Sequence, residues 1–141
     1  TEALNREIEI LTKQFKINIV INISEALEIV TDKALFRIII SNALRNSIQA
    51  TDPQNYQSSP IIINGGHTDR ELWISIIDNG CGIKDSKEIL IKSKYSTKPG
   101  NKGLGLTILN KAVSVLEGNW EIKNGAVKGS EFHLELPIKE L

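Results

Sequence analysis

Leu72-Trp73-Ile74-Ser75-Ile76-Ile77-Asp78-Asn79-Gly80-Cys81-Gly82 is the stretch on which the fold turns: a strand candidate, Leu72 to Ile77, that runs straight into an acid and two glycines. β-Branched and aromatic residues favour a pleated, half-buried strand, and glycines let the backbone turn sharply at its end. Working back, Ile61 to Asn64 is a second strand candidate, with Gly65-Gly66 as the expected hairpin connection and Gln54 to Ser59 as a polar loop before it. Thr51-Asp52-Pro53 breaks a helix that Thr31 or Asp32 caps and that continues through Leu35, Ile39, Leu44 and Ile48. Ile17, Ile19, Ile21 and Ile23 alternate with Asn18, Val20 and Asn22, the period of a strand with one wetter side. Leu4, Ile8, Leu11 and Phe15 recur on one helical face, so Glu2 to Phe15 is expected to be an amphipathic first helix.

Working forward, a short helix is expected at Ser86 to Ile91, then a loop from Lys92 to Gly103 rich in Lys, Ser, Thr, Gly and Asn. A third helix runs from about Leu104 through Leu106, Leu109, Val113 and Leu116, with Gly118 as its C-terminal cap. Trp120 to Lys123 and Glu131 to Leu136 are the closing strands, and Pro137 ends the second. No repeat, low-complexity tract or interdomain linker interrupts this order. Paired strands with helices between them predict one α+β domain over residues 1–141, a two-layer sandwich with a mixed or antiparallel sheet.

Composition narrows the function. The 141 residues carry 17 Lys+Arg against 17 Asp+Glu, a balance that argues against nucleic acid as partner. A domain of this length buries about two-thirds of its unfolded surface and needs no staples. Cys81 is the only cysteine, which excludes an internal disulfide framework and a multi-thiolate zinc site and fits a reducing, cytoplasmic compartment. No apolar run approaches the roughly 20 residues of a membrane span, and the first residues lack the apolar stretch of a signal peptide. The chain starts without Met and contains none, so it reads as a fragment of a longer protein, with the parent's attachment to a membrane left open.

Three places are equipped for chemistry. Asn42 and Asn46 project within about 40° of one another on the arc that carries Leu35 and Ile39. Burying such carboxamides unpaired costs about 1–3 kcal/mol each, so they either bond to neighbouring backbone or offer an oxygen to a hard cation such as Mg²⁺. Asp78 at a strand end is acceptor-only and suits a donor such as the exocyclic amine of adenine, while Gly82 leaves room for a flat ring; the plain alternative is an ordinary Asp-Asn-Gly turn. In Ser96-Thr97-Lys98-Pro99-Gly100-Asn101-Lys102-Gly103-Leu104-Gly105-Leu106, a basic glycine-bearing loop opens into a helix, where free N–H groups and the helix dipole favour phosphate. The Walker pattern is absent, and Ile108 stands where a dinucleotide fingerprint needs its third glycine. His67, in the glycine turn, and His133, in the last strand, are too isolated for a metal or a triad.

Taken in order, Asn42-x-x-x-Asn46, Asp78-x-Gly80-x-Gly82 and Gly103-Leu104-Gly105-Leu106 resemble the N, G1 and G2 boxes of the ATP-binding superfamily of gyrase, Hsp90, histidine kinases and MutL. The resemblance covers about Leu35 to Pro137 and implies the Bergerat fold: helices on one face of a mixed sheet, with ATP between them under a lid. Within the superfamily the chain looks like a sensor histidine kinase catalytic domain, and Tyr95-Ser96-Thr97-Lys98 followed by Asn101 to Leu106 resembles the peptide-pheromone quorum-sensing kinases. The resemblance implies that Asn46 binds Mg²⁺, Asp78 the adenine amine, and Gly80 and Gly82 the base and sugar. It also implies that Gly103 and Gly105 bind the phosphates, that Lys98 reaches the γ-phosphate, that Ser130 helps to position adenine, and that Tyr95, Thr97 and Leu104 belong to the same nucleotide site.

Hydrolysing relatives carry a glutamate where this chain has Asn42, which cannot act as a general base, so the resemblance implies transfer to a protein histidine over hydrolysis. Gln49 and Ala50 depart from the Lys or Arg and the aromatic that many histidine kinases place there, which puts one phosphate contact and one stacking contact in doubt. No His-Glu or His-Asp phosphoacceptor helix is present, so the expected partners are a separate dimerisation domain, with residues 1–15 as the tail of its helix, and a downstream response regulator. An anti-sigma serine kinase of the same superfamily and a nucleotide-binding module without phosphotransfer are the competing readings.

Overall fold

A computed structural model describes residues 2–23, 31–51, 60–80, 105–124 and 129–138. Helix α2 (Lys33–Ala50) is the spine. Asp32 stays extended and its carboxylate accepts from Leu35 N at 3.0 Å, satisfying one of the orphan N–H groups of the first turn. Phe36, Ile39, Ile40, Ala43, Leu44 and Ile48 then fall on one stripe and are buried. Helix α1 (Glu2–Phe15) packs Ile8 and Leu11 into the same core, and helix α3 (Gly105–Val115) adds Leu109, Ala112 and Val113. Each large apolar side chain among them contributes about 1.5–3 kcal/mol on full burial.

Strands β1 (Ile19–Asn22), β2 (Ile61–His67), β3 (Glu71–Asp78), β4 (Asn119–Asn124) and β5 (Ser130–Pro137) form one sheet in the order β1-β2-β3-β5-β4. β1 pairs with β2 in parallel and all other neighbours are antiparallel, so the sheet is mixed. Alternation sorts its faces: Ile61, Ile63, Leu72, Ile74, Ile76, Trp120, Phe132, Leu134 and Leu136 point to the helices and share their core, while the residues between them line the other face. No helix among the described residues is long and apolar enough to cross a membrane.

The structure corrects two local expectations. Gly65 and Gly66 are not the hairpin connection but lie inside β2, which makes His67 the last strand residue. A Cβ on Gly65 would sit 2.9 Å from Ile23 Cγ1, and one on Gly66 would sit 3.0 Å from Trp73 Nε1, so both glycines serve close packing. The turn is made instead by Thr68, whose Oγ1 accepts from Arg70 N and Glu71 N while its N–H donates to Glu71 O. At the end of α3 the left-handed residue is Glu117 (φ 59°), not Gly118. Gly118 is needed there because a Cβ would meet Glu135 O at 2.6 Å.

Candidate functional site

The apolar alternation of β3 carries Asp78 to the strand's last position on the helix-facing side, opposite Ser130, the first residue of β5. The residue is only 2% exposed, so its polar atoms must find partners inside the fold. Asp78 Oδ1 accepts from Gly80 N at 2.9 Å and Ser130 N at 3.3 Å, and Oδ2 accepts from Ser130 Oγ at 2.7 Å. Three donors therefore hold one carboxylate, and each hydrogen bond to a charged acceptor is worth about 1.5–3 kcal/mol net. Each oxygen of an ionised carboxylate has two lone pairs, so Oδ2 retains one acceptor position beyond Ser130.

Two glycines make this geometry possible. A Cβ on Gly80 would run into the carbonyl oxygen of Ala50, the last residue of α2, so the turn after β3 lies directly against the end of that helix. Gly129 has φ 80°, and a Cβ there would run into the carbonyl oxygen of Asp78 and come within 2.8 Å of Asn79 Cα. The end of β3, the start of β5 and the C-terminus of α2 thus meet at backbone contact. Gly129 escaped the sequence reading; the readable signal was a Gly-Ser pair immediately before an alternating strand.

Along α2, Asn42 and Asn46 are both half-buried, as their placement on the apolar arc requires. They differ in what they bond. Asn42 Nδ2 donates to Ile38 O at 2.7 Å, back onto its own helix, so its carboxamide is satisfied locally. Asn46 makes no side-chain hydrogen bond among the described residues, which leaves its oxygen available. Gly105 is the first residue of α3, so the helix opens where the glycine-bearing loop predicts. Gly82, Tyr95, Thr97, Lys98, Gly103 and Leu104 lie outside the described residues, as does the helix expected at Ser86 to Ile91.

His133 is not isolated. Its Nδ1 is 2.9 Å from Ser75 Oγ and its Nε2 is 3.2 Å from Glu135 Oε1, on the sheet face away from Asp78. No group of three or more His, Cys, Asp or Glu among the described residues is placed to hold a metal ion.

The family described as histidine kinase-, DNA gyrase B- and HSP90-like ATPase matches residues 31–140, which takes in α2, the Asp78 turn, α3 and the closing hairpin. The chain belongs to this ATPase family. Among its relatives are the sensor protein TorS of Escherichia coli K12, 34% identical over 112 residues and 77% of this chain, and the adaptive-response sensory kinase SasA of Synechocystis, 30% identical over 113 residues and 76% of this chain. The autoinducer 2 sensor kinase/phosphatase LuxQ of Vibrio cholerae is 28% identical over 125 residues, 84% of this chain. The chain spans 12%, 28% and 14% of the lengths of these three proteins, respectively. Two solved structures share the fold of this ATPase-family domain. The mycobacterial sensor histidine kinase MprB has a TM-score of 0.84 at 20% identity, covering 100% of this chain and 95% of that one. The catalytic domain of the histidine kinase ThkA has a TM-score of 0.81 at 22% identity, covering 97% and 91%. The expected α+β sandwich with helices on one face of a mixed sheet is the fold of these domains.

Proposed function

We propose that this domain binds Mg²⁺-ATP beside the C-terminal half of α2 and transfers the γ-phosphoryl group to a histidine of a separate dimerisation domain, in two-component signalling. The observation that carries the reading is the Asp78 carboxylate, buried and held by three donors with one acceptor position to spare, at a turn where Gly80 and Gly129 let the ends of α2, β3 and β5 meet at backbone contact. Asp78 receives the adenine amine, Gly80 and Gly82 border base and sugar, and Ser130 acts by fixing the carboxylate that reads the base. Gly103, Leu104 and Gly105 offer N–H groups to the phosphates, with Tyr95 and Thr97 in the same nucleotide site and Lys98 at the γ-phosphate.

The half-buried Asn46 carboxamide, without a hydrogen bond among the described residues, fits a ligand for Mg²⁺, a cation that takes oxygen donors. When bound, the metal offsets negative charge on the triphosphate. Lys98 does the same at the γ-phosphate. The acceptor histidine nitrogen attacks the γ-phosphorus, the bond to the β,γ-bridging oxygen breaks, and ADP leaves. Asn42, committed to Ile38 O, supplies no base to activate water.

The partners under this reading are the dimerisation domain, for which α1 is the tail of the incoming helix, and a response regulator; the domain works in the cytoplasm, whether or not its parent is anchored in a membrane. The likeness of residues 95–106 to the peptide-pheromone quorum-sensing kinases would place the parent among them. The test is to mix the domain with a phosphoacceptor helix pair and γ-labelled ATP. Label on the acceptor that is lost in acid and stable in base supports the reading. Acid-stable label on serine overturns it in favour of a serine kinase, and ATP binding with no label transferred under any condition overturns it in favour of a nucleotide-binding module.

A further inference from the structure

The sheet face turned away from the helices carries a second pattern, built from residues that the nucleotide site does not use. Strand register sets Val20, Ile62 and Ile77 side by side on β1, β2 and β3. Trp73 stands on the same face of β3, two pleats before Asp78's end of the strand, and all four side chains keep exposed surface. The indole is held flat: Gly66 clears the space beneath it on β2, and the His133 ring lies 6.2 Å from it at 20° on β5. Its N–H has no hydrogen-bond partner among the described residues. Next to this apolar strip, β5 and β4 carry the carboxylates of Glu131, Glu135 and Glu121, against the one ammonium among the described residues of these two strands, that of Lys123, which lies 3.5 Å from Glu131. Glu135 is the direct cross-strand neighbour of Trp73 and its side chain is 43% exposed.

We propose that this face docks a basic amphipathic helix of another polypeptide. The apolar strip crosses three strands, two spacings of about 4.8 Å, which is the width of one helix of about 10 Å diameter. The acidic strip runs alongside it, where the flank of that helix would lie. Apolar side chains of the partner cover Val20, Ile62 and Ile77, and an arginine or lysine lies over the Trp73 indole within reach of Glu135. Trp73 stands at one end of this face, four residues along β3 from Ile77 and beyond the Asn64 and Ser75 row, and tryptophan is the residue type that most often dominates binding energy at interfaces. A cation over its face gains from the ring quadrupole, and more so with a carboxylate beside it. The charge excess selects against acidic segments. Because Asp78 points to the opposite face, the partner and a nucleotide bind without competing for a side chain.

The test uses the 141-residue chain and two peptides of about five helical turns with the same leucine face, one carrying arginine on its flank and the other glutamate. Amide and indole N–H chemical shifts are followed by NMR during titration, with ATP affinity measured on the same sample. The arginine peptide is expected to saturate with shifts centred on Val20, Ile62, Ile77 and the Trp73 indole, to weaken about tenfold for Trp73→Ala and about threefold for Glu135→Gln, and to leave ATP affinity unchanged. Glu135→Gln changes an exposed side chain and serves if Trp73→Ala fails to fold. Equal binding of the glutamate peptide, shifts centred on the helix side, or unchanged affinity in Glu135→Gln would overturn the proposal. So would self-association of the chain that moves the same resonances, since a second copy would then be the occupant.

Discussion

Replacing Asp78 by Asn tests the site more sharply than any truncation, because the two side chains have the same shape and differ only in charge and in one donor group. In the wild-type fold Oδ1 takes the N–H groups of Gly80 and Ser130 and Oδ2 takes the Ser130 hydroxyl, at 2.9, 3.3 and 2.7 Å. With its amide oxygen in the Oδ1 position, the substituted side chain keeps both N–H bonds, now to a neutral acceptor. Its NH₂ group then donates to Ser130 Oγ, whose proton must rotate away. Each bond that loses its charge weakens by about 1 kcal/mol, and relief from burying a charge offsets part of that, so unfolding free energy should fall by about 1–2 kcal/mol. The nucleotide effect is larger. Under the proposed assignment of Asp78 to the purine edge, the second N–H of the new amide faces the 6-position of the purine, where ATP presents a donor and ITP an acceptor. A lost charge-assisted bond together with two donors left facing each other is worth about 2–3 kcal/mol, roughly a 30- to 150-fold rise in Kd for ATP. Isothermal titration with ATP and ITP should therefore show ATP binding collapse while ITP binding holds or improves, with urea denaturation recording the small loss of stability. ATP affinity within about twofold of wild type, or equal losses for ATP and ITP, would refute the assignment of Asp78 to the purine edge.

Gly129→Ala should destabilise the fold by about 3 kcal/mol or more, visible as a lowered melting temperature, because it adds left-handed strain and drives a Cβ into the Asp78 carbonyl. Glu117→Gly should do the reverse, raising stability by about 0.5–1 kcal/mol in urea denaturation, since Glu117 already occupies a positive φ and its side chain is exposed. Asn46→Ala should abolish the part of ATP affinity that depends on Mg²⁺, read as binding with and without EDTA, whereas Asn42→Ala should leave that difference intact because its carboxamide is bonded to Ile38 O. Asp32→Ala should cost about 1 kcal/mol of stability by removing the cap of α2, with nucleotide affinity in calorimetry unchanged.

The helices were legible because their signals are local. The stripe from Leu35 to Ile48, the capping acid at Asp32 and the breaker at Thr51 are read within one or two turns, and the observed bounds of α2 follow from them. The same holds for the first helix, and for the positions of Asp78 and Asn46, which period and strand end place without any knowledge of the other elements. Gly65 and Gly66 misled because a glycine pair is ambiguous in one dimension: it marks either a turn or a place where something packs close, and only the position of Trp73 and Ile23 separates the two.

What the amino-acid order determined alone was therefore the set of elements and their polar and apolar faces. Tertiary structure decided how each polar group is satisfied. Asn42 turns back on its own helix while Asn46 does not, Asp78 is locked by a serine 52 positions away, and His133 joins Ser75 on the neighbouring strand. Hydrogen bonds act over about 3 Å. A sequence records which donors and acceptors exist, but their pairing is fixed only when the sheet order β1-β2-β3-β5-β4 sets distant strands side by side.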